Sequence, residues 1–169
     1  MWYVLTCPEG NEAEVLQTCR ERIAADVLEK AFVFTWDRMK RYLGSWHVET
    51  HLMFPGCVFL EGNKDGRELF RSLEEYQTLF FFMQVEKCAV PVEEKEEKLL
   101  RELCGHTFHL GMSKGVIKDG VTHVTEGPLA GKEQMITKID RHKRLAFLKG
   151  EAFPCKGGLM AGLEIVSKN

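Results

Sequence analysis

The chain has 169 residues, of which 44% are apolar, and this is enough for a packed core and excludes a disordered chain. Its 23 basic residues nearly balance its 25 acidic residues, which excludes a uniformly basic or acidic protein. Residues 1–105 hold 13 basic against 19 acidic side chains, whereas residues 106–169 hold 10 against 6, so we expect the C-terminal part to meet a polyanion.

The sequence indicates a cytoplasmic protein without membrane contact. No apolar run approaches the roughly 20 residues that span a bilayer, and the start of the chain lacks the basic and apolar regions of a signal peptide. Without an export signal, scattered cysteines are expected to be reduced core residues. The six cysteines are Cys7, Cys19, Cys57, Cys88, Cys104 and Cys155.

The first residues predict a strand followed by a helix. Trp2–Cys7 is a short apolar run that ends before Pro8, which is typical of a strand with a tight exit. Asn11 is expected to cap a helix over residues 12–29, with the Glu14 side chain reaching back to it. Apolar residues recur within this helix at helical spacing.

The remainder of the first 105 residues alternates short strands with helices. Four further strands are expected, over residues 31–35, 46–54, 57–60 and 79–85. A short helix is expected over residues 67–75, and a charged helix is expected to open at Pro91 and to end at Cys104. A small basic cluster comprises Arg38, Lys40 and Arg41. This order predicts an α/β sandwich with a mostly antiparallel sheet.

The C-terminal third has a different pattern. Residues 106–119 are expected to be a short linker, because glycines are frequent there and apolar residues are few. Five short strands are expected after it, over residues 121–125, 133–139, 145–149, 152–156 and 163–166. Five short strands in roughly 50 residues predict a small closed β-barrel over residues 120–169.

The most informative stretch is the turn between the first two of these strands. It contains Gly127 and Pro128, then the apolar Leu129, and then a second glycine, Gly131. Leu129 is expected to fill the barrel, and the two glycines permit backbone angles that are closed to other residues. The stretch resembles the KOW motif of transcription and ribosomal proteins, although a purely structural Gly-Pro turn is the alternative.

Two more stretches extend this resemblance over nearly the whole chain. Residues 52–60 resemble the F-P-G-Y-V-F-V signature of the NGN domain of NusG, and the opening Trp2–Leu5 is similar to the start of that domain. The order of an NGN domain, a short linker and a KOW domain is that of the NusG family of transcription factors. Within this family, three stretches resemble the specialised LoaP paralogues, namely residues 111–115, 138–144 and 162–166.

The resemblance implies an α+β protein with two domains. Residues 1–105 would form an NGN-type α/β sandwich, residues 106–119 a linker and residues 120–169 an SH3-like KOW β-barrel. The NGN domain would bind the clamp helices of RNA polymerase and promote processive, antiterminated elongation. The KOW domain would contact an RNA hairpin in the nascent transcript, or, in the alternative of a housekeeping NusG, the Rho factor or a ribosomal protein. The protein is expected to be a monomer.

A site for the clamp helices requires an exposed apolar depression, because a helix docks by burying its apolar face. The candidates are Tyr3, Phe54, Pro55, Gly56 and the aromatic run over residues 80–82. The alternative is that these are core residues; it is favoured for the last two of the run and stays open for Phe54. Thr6 and Cys57 depart from the family pattern around this depression.

The best candidates for nucleic-acid contact lie in a basic run on a predicted loop. The run and its possible extension comprise Lys138, Arg141, His142, Lys143, Arg144, Lys114 and Lys132. Each phosphate contact adds a salt-dependent increment of affinity, and arginine can also stack on an unpaired base. The alternative is an ordinary solvated turn.

The sequence offers little for catalysis or metal binding. Cys104, His106 and His109 supply only three ligands at a spacing that fits no closed four-ligand pattern. Catalytic motifs such as the P-loop, G-x-G-x-x-G and H-E-x-x-H are absent. We therefore expect a protein that is not an enzyme and that needs no cofactor or metal.

Overall fold

The structure is a computed structural model that describes residues 1–62, 66–85, 87–151 and 158–169. It is an α+β protein in which most strands pair antiparallel. Two compact units are formed, each from two chain segments. The N-unit comprises Met1–Val33 and Phe54–Leu99, and the C-unit comprises Phe34–Met53 and Leu100–Asn169. The predicted domain boundary at residue 105 does not separate the two units, because residues 34–53, from the first half of the chain, belong to the C-unit.

The elements are numbered in chain order. The helices are α1 (Glu12–Arg22), α2 (Gly66–Glu74), α3 (Gln77–Phe82) and α4 (Glu94–Cys104). The first six strands are β1 (Trp2–Thr6), β2 (Leu28–Phe32), β3 (Thr35–Tyr42), β4 (Ser45–Leu52), β5 (Cys57–Gly62) and β6 (Lys87–Pro91). The later strands are β7 (His109–Leu110), β8 (Ser113–Lys118), β9 (Val121–Glu126), β10 (Ile136–Asp140), β11 (Leu145–Glu151) and β12 (Gly158–Lys168).

The N-unit is built on a four-stranded sheet in the order β2-β5-β1-β6. The central strands β1 and β5 are almost wholly apolar, as expected for strands buried on both faces. They pair antiparallel from Trp2 opposite Glu61 to Thr6 opposite Cys57. The core on one face of this sheet contains Leu5, Val58 and Leu60, all fully buried, and it receives the apolar stripe of α1.

Two helical predictions in the N-unit are corrected. The helix expected over residues 12–29 ends at Arg22, because the chain turns and re-enters the sheet as β2. Asn11 makes no side-chain cap bond, and Glu14 is exposed. Instead the buried carboxylate of Glu12 accepts the backbone N–H of Gly10 at 2.8 Å.

The aromatic run over residues 79–85 is not a strand. Residues Gln77–Phe82 form α3, in which Phe80 is fully buried whereas Phe81 and Phe82 are 79% and 76% exposed. The prediction that Phe81 and Phe82 are core residues is therefore wrong. Pro91 ends β6 rather than opening a helix, and α4 begins at Glu94.

The C-unit contains a five-stranded sheet in the order β10-β11-β12-β8-β9 and a three-stranded sheet in the order β4-β3-β7. The linker expected over residues 106–119 is wrong, because β8 lies inside the larger sheet, parallel to β12 and antiparallel to β9. The strand expected over residues 133–139 is a 3-10 turn over Glu133–Met135 followed by β10. The strand expected over residues 152–156 lies outside the described residues.

Four cysteines of the described part of the chain are buried free thiols, namely Cys7, Cys19, Cys57 and Cys104. Cys155 and the side chain of Cys88 lie outside the described part. Burial raises the pKa of Cys19 to about 12, with a smaller contribution from Cys7, and burial alone raises the pKa of Cys104 to about 12. The thiolate, which is the reactive form, is therefore suppressed at both sites.

We expect Cys19 and Cys104 to resist alkylation in the folded protein even at pH 9, and to react fully once the chain is unfolded in guanidinium chloride. Peptide mapping by mass spectrometry after iodoacetamide treatment measures both states. Labelling of Cys19 in the folded protein at the rate of an unfolded control would contradict this burial.

Candidate functional site

The turn that contains the KOW-like motif is held by one glycine. Gly127 has a φ of +93°, and a Cβ atom on it would lie 2.5 Å from the Met112 carbonyl oxygen and 2.7 Å from the Ser113 Cα. Leu129 is fully buried, as predicted, and its N–H donates to the buried Ser113 hydroxyl at 3.1 Å. Gly131 also has a positive φ, of +74°, but open space lies around it. Pro128 is half-buried. These residues shape the turn, and Leu129 is not available to a ligand.

The basic run lies on the turn between β10 and β11. The Lys143 N–H donates to the Asp140 Oδ1 at 3.0 Å, which closes the turn. Arg141, His142 and Lys143 are exposed. The turn therefore presents two permanent cations and one imidazole to solvent on a defined backbone.

Arg144, the last residue of the run, has a different environment. Its Nη1 lies 2.7 Å from the Glu164 Oε1, and both side chains are only 23% exposed. Its guanidinium lies 4.1 Å from the centroid of the Trp46 ring, and Nη1 lies 3.2 Å from the Met39 sulfur. The expectation that Arg144 is a free cation for phosphate is corrected, because its charge is already used within the C-unit.

The other predicted cations lie at separate places in the C-unit. The Lys138 ammonium lies 5.7 Å from the centroid of the Phe147 ring on the neighbouring strand. Lys114 forms a long, exposed ion pair with Glu126 at 3.9 Å, which contributes little to stability. Lys132 is half-buried just before the 3-10 turn. Of these three, only Lys138 lies on β10, the strand that leads into the basic turn.

The structure does not place the predicted docking residues on one surface. Tyr3 and Phe54 are 4% and 2% exposed, so the expectation that they line an open depression is corrected. Tyr3 belongs to the N-unit core, and the Phe54 ring packs 5.6 Å from the Phe59 ring. Pro55 is exposed, whereas Gly56 is buried.

Gly56 is held by an interaction that the sequence did not reveal. Its N–H donates to the Glu12 Oε1 at 2.6 Å, while its carbonyl accepts the Cys7 N–H at 2.8 Å. Burial raises the pKa of the Glu12 carboxyl, but bonds from the N–H groups of Gly56, Glu12 and Gly10 outweigh burial, and the net pKa lies below the ordinary value. Glu12 is thus a charged acceptor that joins the start of α1 to the turn before β5.

An apolar groove of about 560 Å³ opens elsewhere on the N-unit. It is lined by Pro8, Phe81, Phe82, Gln84 and Val85. The two phenylalanine rings pack edge to face, with centroids 6.1 Å apart. An exposed aromatic pair of this kind is typical of a protein-binding surface, because such rings are enriched at interface centres.

The hairpin of β3 and β4 was only partly anticipated. Leu43 and Gly44 both have a positive φ and connect the strands through a two-residue turn, with Leu43 93% exposed. Near the tip, the Tyr42 and His47 rings stack with centroids 3.8 Å apart. In the sequence, the alternation of β4 and the Leu-Gly pair indicated a hairpin. Nothing in the sequence indicated that this hairpin would pack in the C-unit.

Cys104, His106 and His109, which the sequence did not favour as a metal site, do not form a metal-binding group among the described residues. Instead His109 lies 3.0 Å from an Asp37 carboxylate oxygen and 2.8 Å from the Thr35 hydroxyl. Within the described part of the chain, no group of three or more histidine, cysteine, aspartate or glutamate residues could hold a metal ion. The helices described here are also too short or too polar to cross a membrane.

Neither protein-family models nor curated proteins provide a match to this chain.

Proposed function

We propose that the chain is a transcription elongation factor of the NusG type, which binds RNA polymerase through the N-unit and nucleic acid through the C-unit. In this proposal the N-unit is an NGN-type sandwich, and the five-stranded sheet of the C-unit is the SH3-like barrel of a KOW domain. Binding would promote processive, antiterminated elongation. The protein acts as an adaptor and performs no chemical step.

The observation that carries the proposal is the exposed pair of Phe81 and Phe82 beside an apolar groove. An amphipathic helix buries its apolar face in such a groove, and the clamp helices of RNA polymerase are the occupant that the sequence resemblance implies. The groove replaces Tyr3 and Phe54 as the docking surface, since those two side chains lie in the core.

The second support is the basic turn of the C-unit. Arg141 and Lys143 are exposed, and among the described residues neither has a partner in an ion pair. Exposed cations on this turn attract a polyanion, because each phosphate that they neutralise releases a counterion. The nascent transcript is the polyanion that the sequence resemblance implies for this contact.

The docking proposal is tested by co-sedimentation of the full chain with cognate core RNA polymerase. Replacement of Phe81 by aspartate is expected to weaken binding at least about tenfold, because the ring loses burial and the partner's apolar face meets a charge. The matched control is Leu43→Asp, which places the same charge at another exposed apolar site, where aspartate tolerates the positive φ. Failure of the unmodified chain to bind, or equal binding by the Phe81→Asp variant, would overturn the proposed docking.

A further inference from the structure

The β3–β4 hairpin and the basic turn belong to one compact unit. Arg144, at the end of the basic turn, contacts both the hairpin and β12. The Arg144 guanidinium covers the Trp46 ring of the hairpin at 4.1 Å and pairs with Glu164 of β12 at 2.7 Å. A planar guanidinium can stack and pair at the same time, which a lysine cannot do. Arg144 therefore ties the hairpin to the end of the turn that carries Arg141 and Lys143.

The register of the hairpin places a further cation at this junction. Arg41 is directly opposite Trp46, so both side chains lie on the same face of the hairpin. Lys40, one residue earlier, lies opposite His47 on the other face. Arg41 and Lys40 are both exposed, but only Arg41 shares the face that meets Arg144.

The side chains of Arg41, Arg141 and Lys143 have no acidic partner among the residues that the structure describes. Glu164 neutralises Arg144, whereas no described residue forms an ion pair with Arg41, Arg141 or Lys143. Because none of the three pairs with an acidic side chain among the described residues, an anion can bind them without displacing an internal partner. Their arrangement is therefore that of a site for a partner with several negative charges.

We propose that Arg41, Arg141 and Lys143 form one RNA-binding surface and that Arg144 is its positioning residue. The inference rests on the proposed nucleic-acid contact of the C-unit and extends it to a hairpin more than 90 residues earlier in the chain. RNA fits better than a single small anion because three separated cations can each meet a different phosphate. Two of the three are arginines, which bind phosphate in two-point contacts and stack on unpaired bases.

The test uses the full chain and a labelled RNA stem-loop, with fluorescence anisotropy measured between about 50 and 200 mM KCl. Arg41→Glu is expected to weaken binding about tenfold and to reduce the slope of log affinity against log salt by about one. Lys40→Glu makes the same change in charge at the adjacent residue, on the opposite face, and is expected to alter affinity less than about twofold because of screening.

The role of Arg144 is tested by coupling between variants. In an Arg144→Gln background, the hairpin loses its stacking and ion-pair link to the basic turn, and Arg41→Glu is expected to cost less than about twofold in affinity, whereas Lys143→Glu keeps its full effect. A purely stabilising role of Arg144 would leave the penalty of Arg41→Glu unchanged, and that result would overturn the positioning role. Circular dichroism establishes that each variant is folded.

The outcomes distinguish failure of the proposed nucleic-acid function from failure of the composite RNA surface. If the unmodified chain does not bind the stem-loop, the proposed nucleic-acid function fails. If it binds and Lys143→Glu weakens binding but Arg41→Glu does not, only the composite surface fails. Equal losses for Lys40→Glu and Arg41→Glu, or stronger binding to phosphatidylserine vesicles than to RNA, would also overturn the composite RNA surface.

Discussion

Replacing Gly127 by alanine is expected to lower the free energy of unfolding by more than about 3 kcal/mol. The positive φ of +93° is strained for any residue with a Cβ atom. That atom would also lie 2.5 Å from the Met112 carbonyl oxygen, which is a backbone atom immediately before β8 and cannot move aside alone. Urea-induced unfolding followed by circular dichroism measures the change.

Gly131→Ala is the matched control, since it changes the other glycine of the same motif. Gly131 has a positive φ of +74°, but a Cβ atom on it would meet no other atom within 4 Å. Only the backbone strain remains, so a loss of about 1–2 kcal/mol is expected. Equal losses for the two variants would show that the close approach of Gly127 to β8 does not determine its stability.

Replacing Glu12 by alanine is expected to cost about 2–4 kcal/mol of unfolding free energy. The carboxylate is 5% exposed and accepts the N–H groups of Gly10 and Gly56 at 2.8 and 2.6 Å. Its removal leaves both donors without their acceptor, and the Gly56 donor is buried. Glu14→Ala, at an exposed glutamate of the same first helical turn, is the control and is expected to change stability by less than about 0.5 kcal/mol.

The contribution of Glu12 should depend on pH. Its pKa is lowered in the folded protein, so the unfolded chain binds the proton more tightly. The stabilisation is therefore fully present above the ordinary glutamate pKa of 4.5 and is lost as the pH falls through the lower folded pKa. We expect the stability difference between the unmodified chain and Glu12→Ala to be constant above pH 6 and to shrink below pH 4. A difference that grows on acidification would contradict the assigned charge of Glu12.

The two central strands of the N-unit sheet were predictable because their pattern is local, whereas β6 was not predicted. The apolar runs of β1 and β5 mark strands buried on both faces, and the structure places both at the centre of the sheet. The helix α3 was not predictable, because an unbroken aromatic run has no periodicity that separates a strand from a helix. Only tertiary packing decides that Phe80 is buried while its two successors are exposed.

The cap of α1 failed for a related reason. Asn11 and Glu14 fit the local capping pattern, but Glu12 reaches a residue 44 positions later, and sequence spacing does not reveal such a contact. The same holds for the placement of residues 34–53 in the C-unit. Non-local contacts of this kind are fixed by packing rather than by any short motif.

In the candidate site, the sequence composition predicted the basic turn, but it did not predict which of its residues are exposed and which are paired. Arg141 and Lys143 are exposed, whereas Arg144 is paired with Glu164, 20 residues later. A run of cations in sequence gives no information on which of them has a buried partner. Phe54 shows that a stretch that resembles a family signature can consist of buried residues, which are not available to a partner.

The proposal assigns one surface to each unit. The groove beside Phe81 and Phe82 would bind a polymerase helix, and the cations of the C-unit would hold the transcript. Anchoring to both polymerase and RNA raises the effective concentration of each contact, as in other bivalent binders. The two surfaces should therefore both be needed for an effect on elongation.

The most direct test of the proposed function is transcription in vitro through an intrinsic terminator by cognate RNA polymerase with the purified full chain. The account predicts that the unmodified chain and Leu43→Asp increase readthrough, and that Phe81→Asp gives the readthrough of polymerase alone. Unchanged or reduced readthrough with the unmodified chain would contradict the account.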